Sequence, residues 1–563
     1  MKKLLHTKYF LFFTSVLLLI ASCNSKSKEP SMESIKAINL KRGDVVLCGP
    51  PDEKFGAVAF ETSCSEKVKK DFDLAISILH SFEYDEAEKV FTKIIDEEPS
   101  CAMAYWGVAM CNYHPLWAPP TGPELEKGAK AIAIAKSITQ QSKRESDYIE
   151  AMALFYKDRD KADHRSRSIN YRNAMEKIYT AYPRDKEASI FYALSLTASA
   201  DPADKSFSNQ KQAYNILTAL YPGQPHHPGI VHYIIHSYDY PELAASALTA
   251  ARKYAAIAPS SAHAQHMPSH IFTRLGLWDE CINSNLVAAS AAQCYAESAG
   301  IKGHWDEELH AMDYLVYAYL QKGDNVLAKK QWDYLKTINE VHPFNFKVAY
   351  AFASIPARYV LENKMWAAAA GLNVHTEKVP WQNFPWQKAI IHFARVLGAV
   401  HTGKIDLARS ELQKLNTLHD TLVAQKDDYK ANQVMIQVKT AEAWILFKEG
   451  KTNEALKLMN MAADMEDHTE KHPVTPAEVI PALELLGDML MQMNKPDMAL
   501  QTFEASLKKH PNRFNAVYGA GSAAEKNNNL AKANFYYTQL ISIANAAGSN
   551  RPELETAKIY LKK

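Results

Sequence analysis

Residues 483–511 read LELLGDMLMQMNKPDMALQTFEASLKKHP, and this stretch decides the fold. Apolar residues recur at helical spacing at Leu483, Leu486 and Leu490, pause at Asn494-Lys495-Pro496, and resume at Ala499 and Phe503. Pro496 suits the first turn of a second helix, and Pro511 closes it. Gly487 sits on the buried stripe of the first helix, where a small residue lets the second helix approach closely. Thirty-four residues on, Val517, Ala520-Gly521, Ala524, Ala533 and Tyr537 repeat the arrangement. Leu74-Ala75, Ile78, Ala87, Phe91 and Pro99 fit the same frame, as do Met312, Leu315-Val316, Tyr319, Ala328 and Trp332. Weaker copies contain Val396, Ala408 and Leu412, and Ala443, Leu446, Ala455 and Met459. A helix pair of this kind buries its apolar face only by stacking on its neighbours.

The pattern resembles the tetratricopeptide repeat, W-x2-L-G-x2-Y followed by A-x3-F and P, over most of residues 65–563. The resemblance implies an all-α, TPR-type helical-hairpin solenoid. We divide it into N-terminal repeats (66–225), His-rich repeats (226–345) and C-terminal repeats (346–563). A Gly/Pro-rich stretch with two short β-like runs (44–47 and 57–60) makes residues 41–65 a small irregular cap. Gly519-Ala-Gly521-Ser-Ala-Ala524 imitates a dinucleotide-binding loop, but no strand precedes it, so Gly521 reads as the packing glycine of its repeat.

The first 22 residues are a targeting segment. Lys2, Lys3 and Lys8 precede an apolar and hydroxylic run (9–20), then Ala21-Ser22-Cys23. This resembles a bacterial lipoprotein signal, which implies acylation of Cys23 and a lipid-anchored place in the cell envelope, on the periplasmic or surface face of the outer membrane. The run is too short for a transmembrane helix. Residues 23–40 read as a flexible tether. A net charge of +1, from 64 basic and 63 acidic residues, offers no electrostatic case for nucleic acid. Seven cysteines in 563 residues make no disulfide scaffold, though Cys48 and Cys64 flank the cap at a spacing that permits a bridge.

Seven of the 21 histidines fall between residues 226 and 270. His232 and His236 form an H-x-x-x-H, which places two imidazoles on one helix face about 40° apart. His266 and His270 repeat it one 34-residue unit later, with His263 a turn earlier and His310 and Asp313 in the following repeat. In the repeat frame these positions follow buried residues, and the resemblance implies that they line the concave groove. His232, His236, His263, His266, His270, His310 and Asp313 are therefore expected to converge on a transition metal (Zn, Fe, Mn or Cu). A proton-sensitive or aromatic-ligand groove is the alternative. Pro268 is expected to bend the chain between His266 and His270.

No H-E-x-x-H, G-x-S-x-G, P-loop or kinase set is present. Any catalysis would be metal-based, with Glu307, Glu308 or Asp239 as general base. The HYIIH and HMPSHI segments, with Leu79-His80-Ser81-Phe82 and Tyr105-Trp106-Gly107, resemble a group of His-rich bacterial tetratricopeptide proteins, a likeness that brings no reaction with it. His114-Pro115-Leu116-Trp117 reads as a packing turn. The functional expectation is a membrane-tethered repeat protein holding a peptide, small ligand or metal in its groove, with a metalloenzyme or a plain peptide-binding scaffold as alternatives.

Overall fold

The computed structural model describes residues 29–46, 48, 55–373, 379–544 and 549–562. The signal segment and Cys23 lie outside the described residues. From Lys69 onward the chain is a succession of helices, each packed on the next. The strands among the described residues are a two-residue parallel pair, His304–Trp305 with Val341–His342. This is the expected TPR-type helical-hairpin solenoid.

The stacking register follows the small residues. A Cβ added at Gly487 would come within 2.6 Å of the Phe503 ring, and one added at Gly521 within 2.8 Å of Tyr537. Each glycine thus lies where the two helices of its pair meet, Ala482–Gln492 on Pro496–Lys509 and Phe514–Lys526 on Leu530–Ile543. Gly107 instead makes room for the Phe91 ring of the preceding pair, as Gly519 does for Phe503. With no side chain at these points, an aromatic ring fills the interhelical space at interior density.

The N-terminal segment departs from expectation. Within the stretch read as a flexible tether, Met32–Lys36 is helical, and Ile35, Ile38 and Leu40 are buried in the main core. The cap shows no strand among its described residues. Its described residues are tied to the repeats, with Lys41 N donating to Glu88 Oε1 (2.7 Å), Val46 N to Glu86 Oε2 (2.8 Å) and Ala57 N to the His226 carbonyl (2.9 Å). This path also overturns the Cys48–Cys64 pairing. Phe55 and Phe60, which lie between the two cysteines in sequence, are buried in the main core. Cys48 reaches the Trp278–Ser298 helix and bonds Cys294, while Cys64 bonds Cys101 at the start of the Ala102–Cys111 helix. Cys111 and Cys281 are buried free thiols.

The C-terminal repeats curl back onto the middle of the chain. Trp278 Nε1 donates to the Asn512 carbonyl (2.9 Å), and Arg513 donates to the Tyr317 hydroxyl (3.0 Å). In the connection before Ala482–Gln492, Lys471 donates to Asp239 (3.0 Å) and the Ala477 carbonyl accepts from Arg358 (2.7 Å). The superhelix is closed over its His-rich repeats, so the face expected to be an open groove is an interior.

Candidate metal centre

The histidines sit on four helical segments: Pro228–Ser237 (His232, His236), Ala262–His266 (His263, His266), Pro268–Leu275 (His270) and Asp306–Gln321 (His310). Pro268 stands at the start of its helix, and its missing N–H ends the preceding one at His266. The break leaves His263 on one side of the site and His270 on the other.

All six rings are brought together, but in two trios rather than one. His232, His236 and His263 make the first, and His266, His270 and His310 the second; within each, the ligand nitrogens lie within 4.8 Å of one another. The trios adjoin, with the His236 and His270 ring centroids 6.4 Å apart. His236 is half-buried and the other five are buried. Asp313 is not a member. Its Oδ1 accepts from Ser354 Oγ (2.7 Å) and from the buried Arg358 guanidinium, because that charge on the Phe346–Glu362 helix outcompetes a neutral imidazole for the carboxylate.

The orientation of the rings is fixed from behind. His232 Nδ1 donates to the His80 carbonyl (2.6 Å), His266 Nδ1 to Asn285 Oδ1 (2.7 Å) and His270 Nδ1 to Asp239 Oδ2 (3.0 Å). Asn285 Nδ2 donates to the Cys281 carbonyl (2.8 Å), which settles that its Oδ1 is the atom facing His266. A neutral imidazole carries one proton, so in these three rings Nε2 bears a lone pair. Backing of Nδ1 by a carbonyl, amide or carboxylate is the arrangement that orients metal-binding histidines.

The nitrogens left over point at one another. His266 Nε2 and His270 Nε2 are 3.1 Å apart, and His232 Nε2 meets His236 Nε2 at 2.9 Å and His263 Nε2 at 3.2 Å. Burial, reinforced by the neighbouring imidazoles, holds His232, His236, His266 and His310 well below the ordinary histidine pKa. Burial and then the Lys347 charge take His263 down to about 3. Burial also lowers His270, against the pull of Asp239. Burial thus favours the neutral rings, and in that form the second trio sets the His266 and His270 lone pairs against each other, with the Tyr314 hydroxyl 3.3 Å from His270 Nε2.

A third buried group behaves differently. His80 Nε2 and His227 Nε2 donate to the two oxygens of Glu187 (2.9 and 2.8 Å), and the Tyr233 hydroxyl meets His80 Nδ1 at 2.8 Å. Burial would raise the Glu187 carboxyl, but His227 and His80 overrule it and hold it far below the usual range. Gly229 leaves room for the His80 ring. Each of these contacts joins a donor to an acceptor, and of the two imidazoles only His227 keeps a nitrogen, Nδ1, without a partner.

Sequence reasoning missed the walls. Phe82, at a left-handed φ of 59°, puts its ring 4.5 Å from His232 and 5.6 Å from His236. A bulky residue in that region is strained, and such strain persists only where the surroundings enforce it. Trp117, on the turn read as packing, lies 5.0 Å from His236. Tyr254 stacks on His232, and Tyr314 packs against all three rings of the second trio. No local pattern marks these residues as neighbours of the site. Of the expected bases, Asp239 is committed to Arg274, Lys471 and His270, and those two cations hold it ionised against burial. Glu307 pairs with Lys347, and Glu308 with His304 (2.7 Å) and Tyr334 (2.9 Å).

The tetratricopeptide-repeat family model matches residues 485–548. No curated protein matches the chain. Among solved structures, it is similar to the APC/C hetero-tetramer Cut9–Hcn1, at 12% identity over 87% of this chain and 90% of that one, with a TM-score of 0.30. It is also similar to Naa15/Naa10 bound to HypK-THB, at 11% identity over 88% of this chain and 73% of that one, with a TM-score of 0.23. The Saccharomyces cerevisiae separase–securin complex is similar at 10% identity over 94% and 43% of the respective chains, with a TM-score of 0.37.

Proposed function

We propose that this chain is an exported, lipid-anchored tetratricopeptide-type scaffold whose middle repeats carry a buried transition-metal centre. The observation that carries the metal is the pair of opposed lone pairs on His266 and His270, 3.1 Å apart, with both Nδ1 atoms already donating elsewhere. Two buried acceptors facing each other cost free energy, and the Tyr314 hydroxyl, 3.3 Å from His270 Nε2, has a single proton and can serve at most one of them. A metal ion relieves the opposition, and imidazole nitrogens are its preferred donors. Export is supported by the lipoprotein-like segment ending in Cys23 and by two disulfides, which persist in oxidising compartments. Among the described residues no helix is long and apolar enough to cross a membrane. Scaffolds of this type bind proteins or peptides, and we assign that role to the outer repeat surfaces, because the His-rich face is closed.

Elemental analysis of the purified protein tests the metal reading. A stoichiometric transition metal is expected, and its absence after incubation with Zn, Fe, Mn and Cu salts overturns the reading. For the anchor, Cys23→Ser is expected to abolish lipid labelling; unchanged labelling and membrane partition would refute it.

A further inference from the structure

Resting on that metal reading, the division of the six imidazoles leads further: we infer that the centre is dinuclear, with one copper ion held by His232, His236 and His263 and a second by His266, His270 and His310. Each trio gathers its own nitrogens within 4.8 Å. The three-residue step from His263 to His266 on one helix delivers a ligand to each, so a single ion would leave one trio unused.

The first trio also has its own unmet demand. His232 Nε2 carries one in-plane lone pair, and two Nε2 atoms approach it, at 2.9 and 3.2 Å. One lone pair serves one donor well, so the two compete. Each trio has a ring held from behind by a hydrogen-bond acceptor, His232 by the His80 carbonyl, and His266 and His270 by Asn285 and Asp239.

Copper follows from the charge of the donor set. Each trio offers three neutral nitrogens and no anionic ligand. The two carboxylates closest to joining are taken, Asp239 by Arg274 and Lys471, and Asp313 by Arg358. A pair of divalent ions would leave four positive charges in an interior walled by Phe82, Trp117, Tyr254 and Tyr314, a heavy desolvation cost. Monovalent copper halves that charge and is satisfied by three imidazoles. Zinc in a closed site takes four ligands.

The test is an anaerobic titration of the purified protein with Cu(I), and separately with Zn(II), counting tightly bound ions. Two equivalents of copper are expected for the wild type, one each for His263→Gln and His310→Gln, and none for the double variant, with circular dichroism reporting the fold. Wild-type saturation at one equivalent, or loss of both ions in either single variant, overturns the dinuclear centre while leaving the metal reading intact. Two equivalents of zinc with no copper overturn the copper assignment. No ion of either kind takes the metal reading down as well. If a variant unfolds, the wild-type count decides alone.

Discussion

The His80–Glu187–His227 group and the six-histidine centre are built from the same residue type, at similar depth, on adjoining helices, yet they are opposite in electrostatic character. In the first, every close contact joins a donor to an acceptor, and a buried carboxylate supplies the charge that two imidazoles can share. In the second, the carboxylates stand behind the rings or are turned to arginine, and the nitrogens in front face one another. Burial of histidine therefore says little by itself. What distinguishes the two is whether the atoms that face one another pair as donor and acceptor, as they do around Glu187 although His227 Nδ1 has no partner.

The comparison breaks first at Glu187. Glu187→Ala leaves two buried imidazoles without their acceptor and is expected to cost about 3–5 kcal/mol, as loss of one partner from a buried ionic group does. Urea unfolding of the metal-free protein measures it, and a loss under about 1 kcal/mol would mean the group is not self-satisfied. The six-histidine centre should gain stability only from its ion. At a free metal concentration a hundred times each dissociation constant, each bound ion should add about 2.7 kcal/mol, so His266→Gln, which loses the second trio, should keep only about half of the wild-type gain. Without metal, His266→Gln should stay within about 1 kcal/mol of the wild type, because the glutamine amide N–H can donate to the His270 Nε2 lone pair. A metal-dependent shift in that variant equal to the wild type's would refute the second trio as a site.

A purely apolar contact gives the scale for both. Gly487→Leu drives a side chain into Phe503, 2.6 Å from where its Cβ would stand, and should destabilise by roughly 1–3 kcal/mol without altering metal content. A neutral effect in thermal unfolding would show that the C-terminal register is wrong.

The last effect shows only at acid pH and concerns a half-buried imidazole that hydrogen-bonds no carboxylate. Burial, and then the Lys430 charge, take His472 down to about 3. The ring packs on Phe346 at 4.5 Å, and its Nδ1 accepts from Val474 N. Its folded pKa lies below the unfolded value of about 6.5, so the neutral ring's contribution is complete above pH 6.5. It is lost as pH falls toward 3, at about 1.4 kcal/mol per pH unit. His472→Phe should remove this slope, so the wild-type and variant stability curves should converge above pH 7 and separate below 6. Parallel curves across that range would show that His472 is solvated.

Much of the fold was legible because the signal is local and repeated. Gly487, Gly521, Ala499 and Phe503 stand at fixed offsets, and each occupies the packing position that its offset assigns. The site was legible in part. The two H-x-x-x-H pairs and His310 do come together, since repeats place equivalent residues side by side. Asp313 followed the same spacing and went elsewhere, because Arg358 lies 45 residues on and no period connects the two. The bridge from Cys48 to Cys294 spans 246 residues, beyond the reach of any spacing argument.

By itself, then, the chain's sequence determined the helix pairs, their stacking register and the face that carries the histidines, because each depends on residues within one or two repeats. Only the tertiary structure decided that this face is closed and that its nitrogens divide into two trios. It also decided which ring atom carries the proton. Those outcomes rest on partners far along the chain: the His80 carbonyl 152 residues before His232, Trp117 against His236, and Lys471 on Asp239 across 232 residues. The direction of a lone pair depends on what stands behind the ring, and that is known only once the superhelix has closed.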